Sequence, residues 1–333
     1  MAITMPAGLR RAPRPDPGAI RGAAVAAVGI SLPEMSVSSA TIGARLGVAE
    51  DWIERRTGIR SRRIAESGES VTEHAVHAAS RALAAAGVDA AEVDLVLVAT
   101  TTADDVMPNA APLVAHALGC TKAGAFDIGA ACTGFLSALA VGCAQIESRR
   151  SRCALVVGVD FMSRITDPTD RSTAAVFADG AGAVVLLGSG EGRIGPIVLG
   201  SDGAGADHIH VRRERPVIHM EGHETFREAV SRLSEATVQA ADASDMALDE
   251  IDLFVYHQAN GRILSAVGER LGLPPERVID CIGEYGNTSA ATLPLALEFA
   301  VGSGRLRDGD LVLLGAFGGG FTWGATVVRW GVA

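Results

Sequence analysis

Apolar residues recur along the chain in two alternating rhythms. Leu95–Thr100 (LVLVAT), Ala154–Val159 and Ala183–Leu187 are short unbroken apolar runs, the pattern of strands buried on both faces. Ala24–Ile30 and Leu253–Tyr256 also read as strands. Between such runs the spacing turns helical. Val71–Gly87 sets Ala75, Ala78, Ala79, Ala82 and Leu83 on one stripe and stops at Gly87. Thr133–Ser148 predicts another helix, with Phe135, Leu136, Leu139 and Ile146 turned inward. This alternation predicts an α/β fold with a largely central sheet.

The order of elements repeats. Glu92-Val93-Asp94-Leu95-Val96 is echoed by Glu250-Ile251-Asp252-Leu253-Phe254, each opening a buried strand. Ala154–Gly158 (ALVVG) is echoed by Leu311–Gly315 (LVLLG), and Gly180–Val185 by Gly320–Val328. Three echoes in one order predict two duplicated halves, residues 22–195 and 196–333. Residues 1–21 carry Arg and Pro but no continuous apolar stretch, so they read as a disordered tail, not a secretory signal.

Composition narrows the functional classes. With 333 residues, 48% of them hydrophobic, the chain can bury a large core. A formal net charge of −10 disfavours nucleic acid and anionic membrane surfaces, and an acidic partner would need a local basic patch. No run of about 18 apolar residues exists, so no membrane span is expected. The five cysteines form no CxxC pair, which weakens zinc and dithiol chemistry and fits a reducing, cytoplasmic setting.

Cys132 is the cysteine with a chemical context. It follows the apolar run Ala125–Ile128 and the small residues Gly129, Ala130 and Ala131, and it precedes the predicted helix at Thr133. Unpaired amides and the dipole at a helix start favour an anion, so a nucleophilic thiol of lowered pKa is expected there. Cys143 and Cys153 fall inside the following helix and strand patterns and read as small buried hydrophobes.

A second group of residues offers partners. His257 ends the strand Leu253–Tyr256, where α/β folds keep their chemistry. Asn287 sits in the glycine-flanked loop Gly286–Ala291, ahead of a helix. His74, His77 and His116 fall on helix patterns, and His208, His210, His219 and His223 scatter through a polar loop region without the company a metal site needs, so no metal is expected. An Asp at 287 would make His257 a conventional base. A neutral Asn instead suits two hydrogen-bond donors, His Nε2–H and the amide, aimed at a thioester oxygen that becomes an enolate. An enolate forms when a malonyl thioester loses carbon dioxide. The glycines at 318–320 would add a backbone amide to a second oxyanion site with the amide of Cys132.

These residues resemble the β-ketoacyl-acyl-carrier-protein synthase III family of the thiolase superfamily. The matching segments are Ala131-Cys132-Thr133-Gly134-Phe135, His257-Gln258-Ala259-Asn260, Gly286-Asn287-Thr288-Ser289 and Phe317-Gly318-Gly319-Gly320-Phe321, together with Trp52–Ile59 and Asp167–Arg171. The resemblance implies a thiolase-like, five-layered αβαβα fold, a homodimer and a ping-pong decarboxylative condensation that starts fatty acid or polyketide chains. Acyl-CoA and malonyl-acyl carrier protein would be its substrates, with no separate cofactor. It implies Cys132 as nucleophile, His257 and Asn287 as aids to decarboxylation, and the amides of Cys132 and Gly319 as oxyanion hole. Trp52 and Arg171 would sandwich the CoA adenine, Arg56 would reach its phosphates, and Asn260 would complete the CoA contacts. Arg227, Arg262 and Arg270 would form the carrier-protein patch, with Glu269 at an often basic position. Met107 and Phe317 would shape the acyl pocket, Met107 from across the dimer. The loop Asp202–Glu221 is shorter than in typical housekeeping members. Rival readings are acyl transfer to a hydroxyl or amine, a degradative thiolase, and a non-catalytic partner subunit. The second would need a cysteine in the C-terminal glycine segment, which has none.

Overall fold

Continuous Val, Leu and Ala runs form the central strands because each strand is covered on both faces and has no wet side to keep polar. The structure is a computed structural model describing residues 22–191 and 193–332; the tail predicted at residues 1–21 lies outside that range. In chain order the strands are β1 (Gly22–Ser31), β2 (Ser36–Ser38), β3 (Ser61–Arg63), β4 (Leu95–Ala99), β5 (Gly124–Ile128), β6 (Cys153–Phe161), β7 (Asp179–Ser189), β8 (Val198–Ser201), β9 (Ile209–Arg212), β10 (Arg215–Met220), β11 (Leu253–Tyr256), β12 (Leu311–Gly318) and β13 (Thr322–Arg329). The helices are α1 (Ser39–Leu46), α2 (Trp52–Thr57), α3 (Val71–Ala86), α4 (Ala110–Leu118), α5 (Gly134–Glu147), α6 (Gly222–Ala243), α7 (Gly261–Leu271), α8 (Ile282–Tyr285) and α9 (Thr292–Gly302).

Two sheets organise the molecule. The first runs β1-β7-β6-β4-β5 and the second β8-β13-β12-β11, with Val278 bridging Phe254 in parallel beyond β11. In both, a parallel pair (β4 on β6, β11 on β12) sits beside an antiparallel one (β6 on β7, β12 on β13). Helices α5 and α9 fill the space between the sheets in one shared core with Leu97, Val156, Val255 and Leu314. On the outer face of the first sheet α3 and α4 bury their alanine stripes, and α6 and α7 cover the second sheet. The result is the five-layered αβαβα arrangement.

Local signals hold closely. Helix α3 begins at Ser70, whose side chain accepts from the Glu73 amide, and ends at Gly87 in the left-handed conformation. The helix predicted from Thr133 starts at Gly134, because residues 131–133 form a tighter 3₁₀ turn. One reading is corrected: His210 and His219 do not lie in a loop but face each other across the β9–β10 hairpin. Polar side chains on both strands conceal the alternation a sequence reading relies on.

Candidate active site

Cys132 sits between the two sheets, at the C-terminal end of β5. The chain turns there through Ala130 (φ −152°, ψ 35°) and Ala131, whose φ of +45° is left-handed for a residue with a side chain. Thr133 donates to the Ala130 carbonyl at 2.7 Å and stands 2.8 Å from the Thr322 hydroxyl on β13, tying this turn to the second sheet. Gly318 presses on the same turn. A Cβ placed on it would lie 2.9 Å from the Cys132 amide nitrogen, a contact only glycine avoids.

His257 follows β11 directly. Its amide donates to the Gly315 carbonyl on β12 at 2.8 Å, and its ring is 2% exposed. Burial pushes the imidazole down to about 3, so it is neutral at any ordinary pH. Among the described residues Nδ1 meets no hydrogen-bond partner. The proton therefore belongs on Nε2, as an N–H without an acceptor is the costlier orphan.

Asn287, like His257, reaches the site from the C-terminal part of the chain. Its amide donates to the Val176 carbonyl (3.1 Å) and its carbonyl accepts from the Ala178 amide (2.9 Å). Its side-chain Oδ1 accepts from the Ser289 amide at 3.0 Å, which leaves the Nδ2 hydrogens as its outward donors. Ser289 is itself left-handed, with φ +50°. The next residue is anchored by Asp160 at the end of β6. Its Oδ2 accepts from the Ala290 amide, and its Oδ1 accepts from the Thr101 amide and the Thr100, Thr101 and Thr102 hydroxyls. Asp160 escaped sequence reasoning, although a carboxylate ending an otherwise apolar run was its signal, and Ser289 was read only as part of a matching segment, with no role given to it.

The expected lowering of the Cys132 pKa is overturned. Burial pushes the thiol up to about 12, against the pull of the Ser289 hydroxyl and its own amide, while the Asp160 charge pushes the same way as burial. A helix terminus offers about half a charge, less than desolvation removes when no cationic side chain is near.

One cavity of about 1380 Å³ gathers most of the expected residues. Cys132, His257, Asn287, Phe317, Gly318 and Gly319 line it, and so do Trp52, Arg56, Arg171, Asn260 and Arg262. Arg56 covers one face of the Trp52 indole, 4.7 Å from the ring centroid, which leaves the other face for stacking. Arg171 donates from Nε to the Leu46 carbonyl (3.2 Å), and Asn260 caps α7 by accepting from the Arg262 amide (3.0 Å). Three expected residues are not in the lining. Met107 is 85% exposed on the outer surface, Arg270 lies in the last turn of α7, and Arg227 is ion-paired to Glu224 (2.7 Å) and Glu228 (3.6 Å). Among the described residues no cluster of three or more His, Cys, Asp or Glu could hold a metal, and no helix is long and apolar enough to cross a membrane.

Known proteins share this arrangement. The family described as 3-oxoacyl-(acyl-carrier-protein (ACP)) synthase III matches residues 126–203, and its C-terminal part matches residues 241–330. A beta-ketoacyl-(acyl-carrier-protein) synthase III of Symbiobacterium thermophilum is 41% identical over 327 residues, covering 94% of this chain and 99% of that protein. The crystal structure of 3-oxoacyl-(acyl carrier protein) synthase III from Pseudomonas aeruginosa superposes with a TM-score of 0.90 at 42% identity, covering 94% of this chain and all of that one. The priming beta-ketosynthase of the R1128 polyketide pathway superposes with a TM-score of 0.91 at 38% identity, covering 98% and 99%. The sequence, the five-layered thiolase-like architecture and the convergence of Cys132, His257 and Asn287 on one cavity all place this chain in the 3-oxoacyl-(acyl-carrier-protein) synthase III family.

Proposed function

We propose that the chain condenses an acyl-CoA primer with malonyl-acyl carrier protein, releasing carbon dioxide and giving a 3-oxoacyl-acyl carrier protein that starts a fatty acid or polyketide chain. The observation that carries this reading is a neutral His257 sharing one cavity with Asn287 and the Cys132 thiol. Two neutral donors suit an enolate oxygen, which needs hydrogen bonds that are already oriented and proton-bearing.

In the first half-reaction the Cys132 sulfur attacks the primer thioester carbonyl. The amides of Cys132 and Gly319 hold the oxyanion, the sulfur–acyl bond to CoA breaks, and the thiol proton leaves with CoA. In the second, the malonyl thioester loses carbon dioxide while His257 Nε2–H and Asn287 Nδ2–H hold its oxygen. The resulting carbanion attacks the acyl-Cys132 carbonyl, and the Cys132 thiolate departs and regains a proton. No proton is needed on His257 beyond the one it keeps. Trp52, Arg56, Arg171 and Asn260 act as the CoA end of the cavity. Arg262 and Arg270 are the carrier-protein contacts left without a carboxylate pair among the described residues, Arg227 being ion-paired within its own helix.

A homodimer fits the surface. Strand β5 is an edge of the first sheet, with Phe126 45% exposed, and Val106 and Met107 stand bare ahead of α4, whose first amides bond to Asp127 on β5. The cavity extends to Asp105, Val106 and Asn109, beside Met107. A partner copy seated on that face could offer its Met107 to the acyl end.

Mass spectrometry of the intact protein after incubation with a panel of acyl-CoAs tests the first step. An acyl adduct is expected, absent in Cys132→Ser. Carbon dioxide release from malonyl thioester tests the second and separates condensation from transfer to a hydroxyl or amine. A protein that is never acylated sinks the reading.

A further inference from the structure

Arg62 is the largest fully buried side chain among the described residues, with 0% exposure. Its guanidinium has no carboxylate partner there. Nη1 donates to the Ala174 carbonyl at 3.1 Å and Nη2 to the Ser39 hydroxyl at 2.9 Å, while Nε has no hydrogen-bond partner among the described residues. Burial, and then the charge of Arg45, lowers its pKa to about 10, so it stays cationic at neutral pH. An unpaired buried charge costs several kcal/mol, so the two hydrogen bonds that Arg62 does make are strongly favoured.

What Arg62 holds is the backbone around Asn287. Ala174 opens the segment that runs to Ala178, and Asn287 is hydrogen-bonded into that segment on both sides, to Val176 and to Ala178. Gly286, the residue before, adopts φ +67° with no room for a side chain. A Cβ there would lie 3.3 Å from the Arg62 Cβ and 3.0 Å from that of Ala178. One residue short of β3, Arg60 donates from its amide to the Gly283 carbonyl at 3.0 Å. The stretch Arg60–Arg62 therefore braces both the segment Asn287 pairs with and the helix that delivers it. Cys132 and His257 hang elsewhere, on the β5–α5 turn with Gly318 and on β11 with Gly315.

We infer that Arg62 is a positioning residue for the malonyl half of the reaction: it sets the Asn287 amide without touching substrate, and leaves acylation of Cys132 to other supports. The inference rests on the condensation reading above. A displacement of about 1 Å at a catalytic donor can cost about 10²-fold.

The test measures the two half-reactions apart in Arg62→Met and Arg62→Lys. Acyl-enzyme formation is followed by intact mass with an acyl-CoA, and carbon dioxide release with malonyl-CoA as the probe. Acylation within about twofold of wild type and decarboxylation down by about tenfold or more is the expected split, with Arg62→Lys between wild type and Arg62→Met. Combined with Asn287→Ala, Arg62→Met should add little further loss in decarboxylation, since both act through one amide. Equal losses in both half-reactions, or full additivity with Asn287→Ala, overturn the inference. Ser39→Ala removes only the Nη2 acceptor and serves if Arg62→Met does not fold; it should show the same split at smaller size, and no split there overturns the inference equally. Wild-type protein that is acylated but releases no carbon dioxide removes the condensation reading and this inference together. Failure confined to the variants removes the inference alone.

Discussion

Gly318 lies against the backbone of Cys132 so closely that a methyl group on it would sit 2.9 Å from the Cys132 amide nitrogen and 3.1 Å from its Cβ. The second sheet thus supports the Cys132 turn through a bare glycine, and it places the following amide, that of Gly319, on the same cavity. Gly318→Ala should push the Cys132 turn aside and misalign the amides of Cys132 and Gly319 proposed as oxyanion donors. Losing one such donor costs about 10²–10³ in rate, and overpacking costs about 1–3 kcal/mol of stability. Acyl-enzyme formation by intact mass, set beside a thermal melt, checks this. A variant acylated at the wild-type rate would show that Gly318 is not holding the turn.

Asp160 links the end of β6 to the turn after Asn287. One carboxylate oxygen accepts from Thr101 N–H and three threonine hydroxyls, while the other accepts from Ala290 N–H. Asp160→Asn sets an NH₂ against donors whichever way the amide is turned. A loss of about 1–3 kcal/mol in denaturant unfolding is expected, with slower carbon dioxide release from malonyl thioester. Unchanged stability would mean that the threonine hydroxyls rotate to accept without loss.

The thiol gives the clearest disagreement between chain and fold. Its place before a helix is legible in the sequence, and so is the break at small residues. How far the sulfur is desolvated is not, because its surroundings, among them Ser289, Asp160 and Gly318, come from distant parts of the chain. With the thiol near 12, alkylation of Cys132 by iodoacetamide should climb about tenfold per pH unit from pH 7 to 10 without levelling off. A plateau near neutrality would restore the low-pKa thiol expected from position alone.

Much of the remaining architecture could be read directly. Strands buried on both faces announce themselves as apolar runs, and α3 shows both its stripe and its stop at Gly87. Short polar strands such as β9 and β10 do not, since a half-exposed hairpin carrying His210 and His219 keeps no clean period. The sequence reading also missed that Arg227 pairs with Glu224 one turn back and with its neighbour Glu228, although the first spacing is visible in the chain.

His257 also shapes acid stability. Its folded-state pKa, about 3, lies below the ordinary 6.5, so between those values the unfolded chain binds a proton that the folded one refuses. Stability from this group is complete above pH 6.5 and falls as pH drops toward 3, by an upper bound of roughly 5 kcal/mol. Urea unfolding at pH 7, 5.5 and 4.5 should show the decline, and His257→Gln should flatten part of it. Equal slopes for wild type and variant would mean that the imidazole is far less buried than described.

Met107 bears on which primer is accepted. It is exposed, precedes α4, whose first amides bond to Asp127 on the edge strand β5, and follows Val106, which lines the cavity. If a second copy covers this face, Met107 of one chain ends the acyl space of the other. A methionine is unbranched and can swing aside, where a phenyl ring cannot fold to make room. Met107→Phe should therefore narrow the accepted chain length, with long or branched acyl-CoAs losing acylation of Cys132 by about tenfold or more while acetyl-CoA changes little, since an extra methylene that does not fit costs about 1–3 kcal/mol. Sedimentation of the variant shows whether the oligomer survives. An acyl-CoA profile identical to wild type in an intact oligomer would take Met107 out of the acyl pocket.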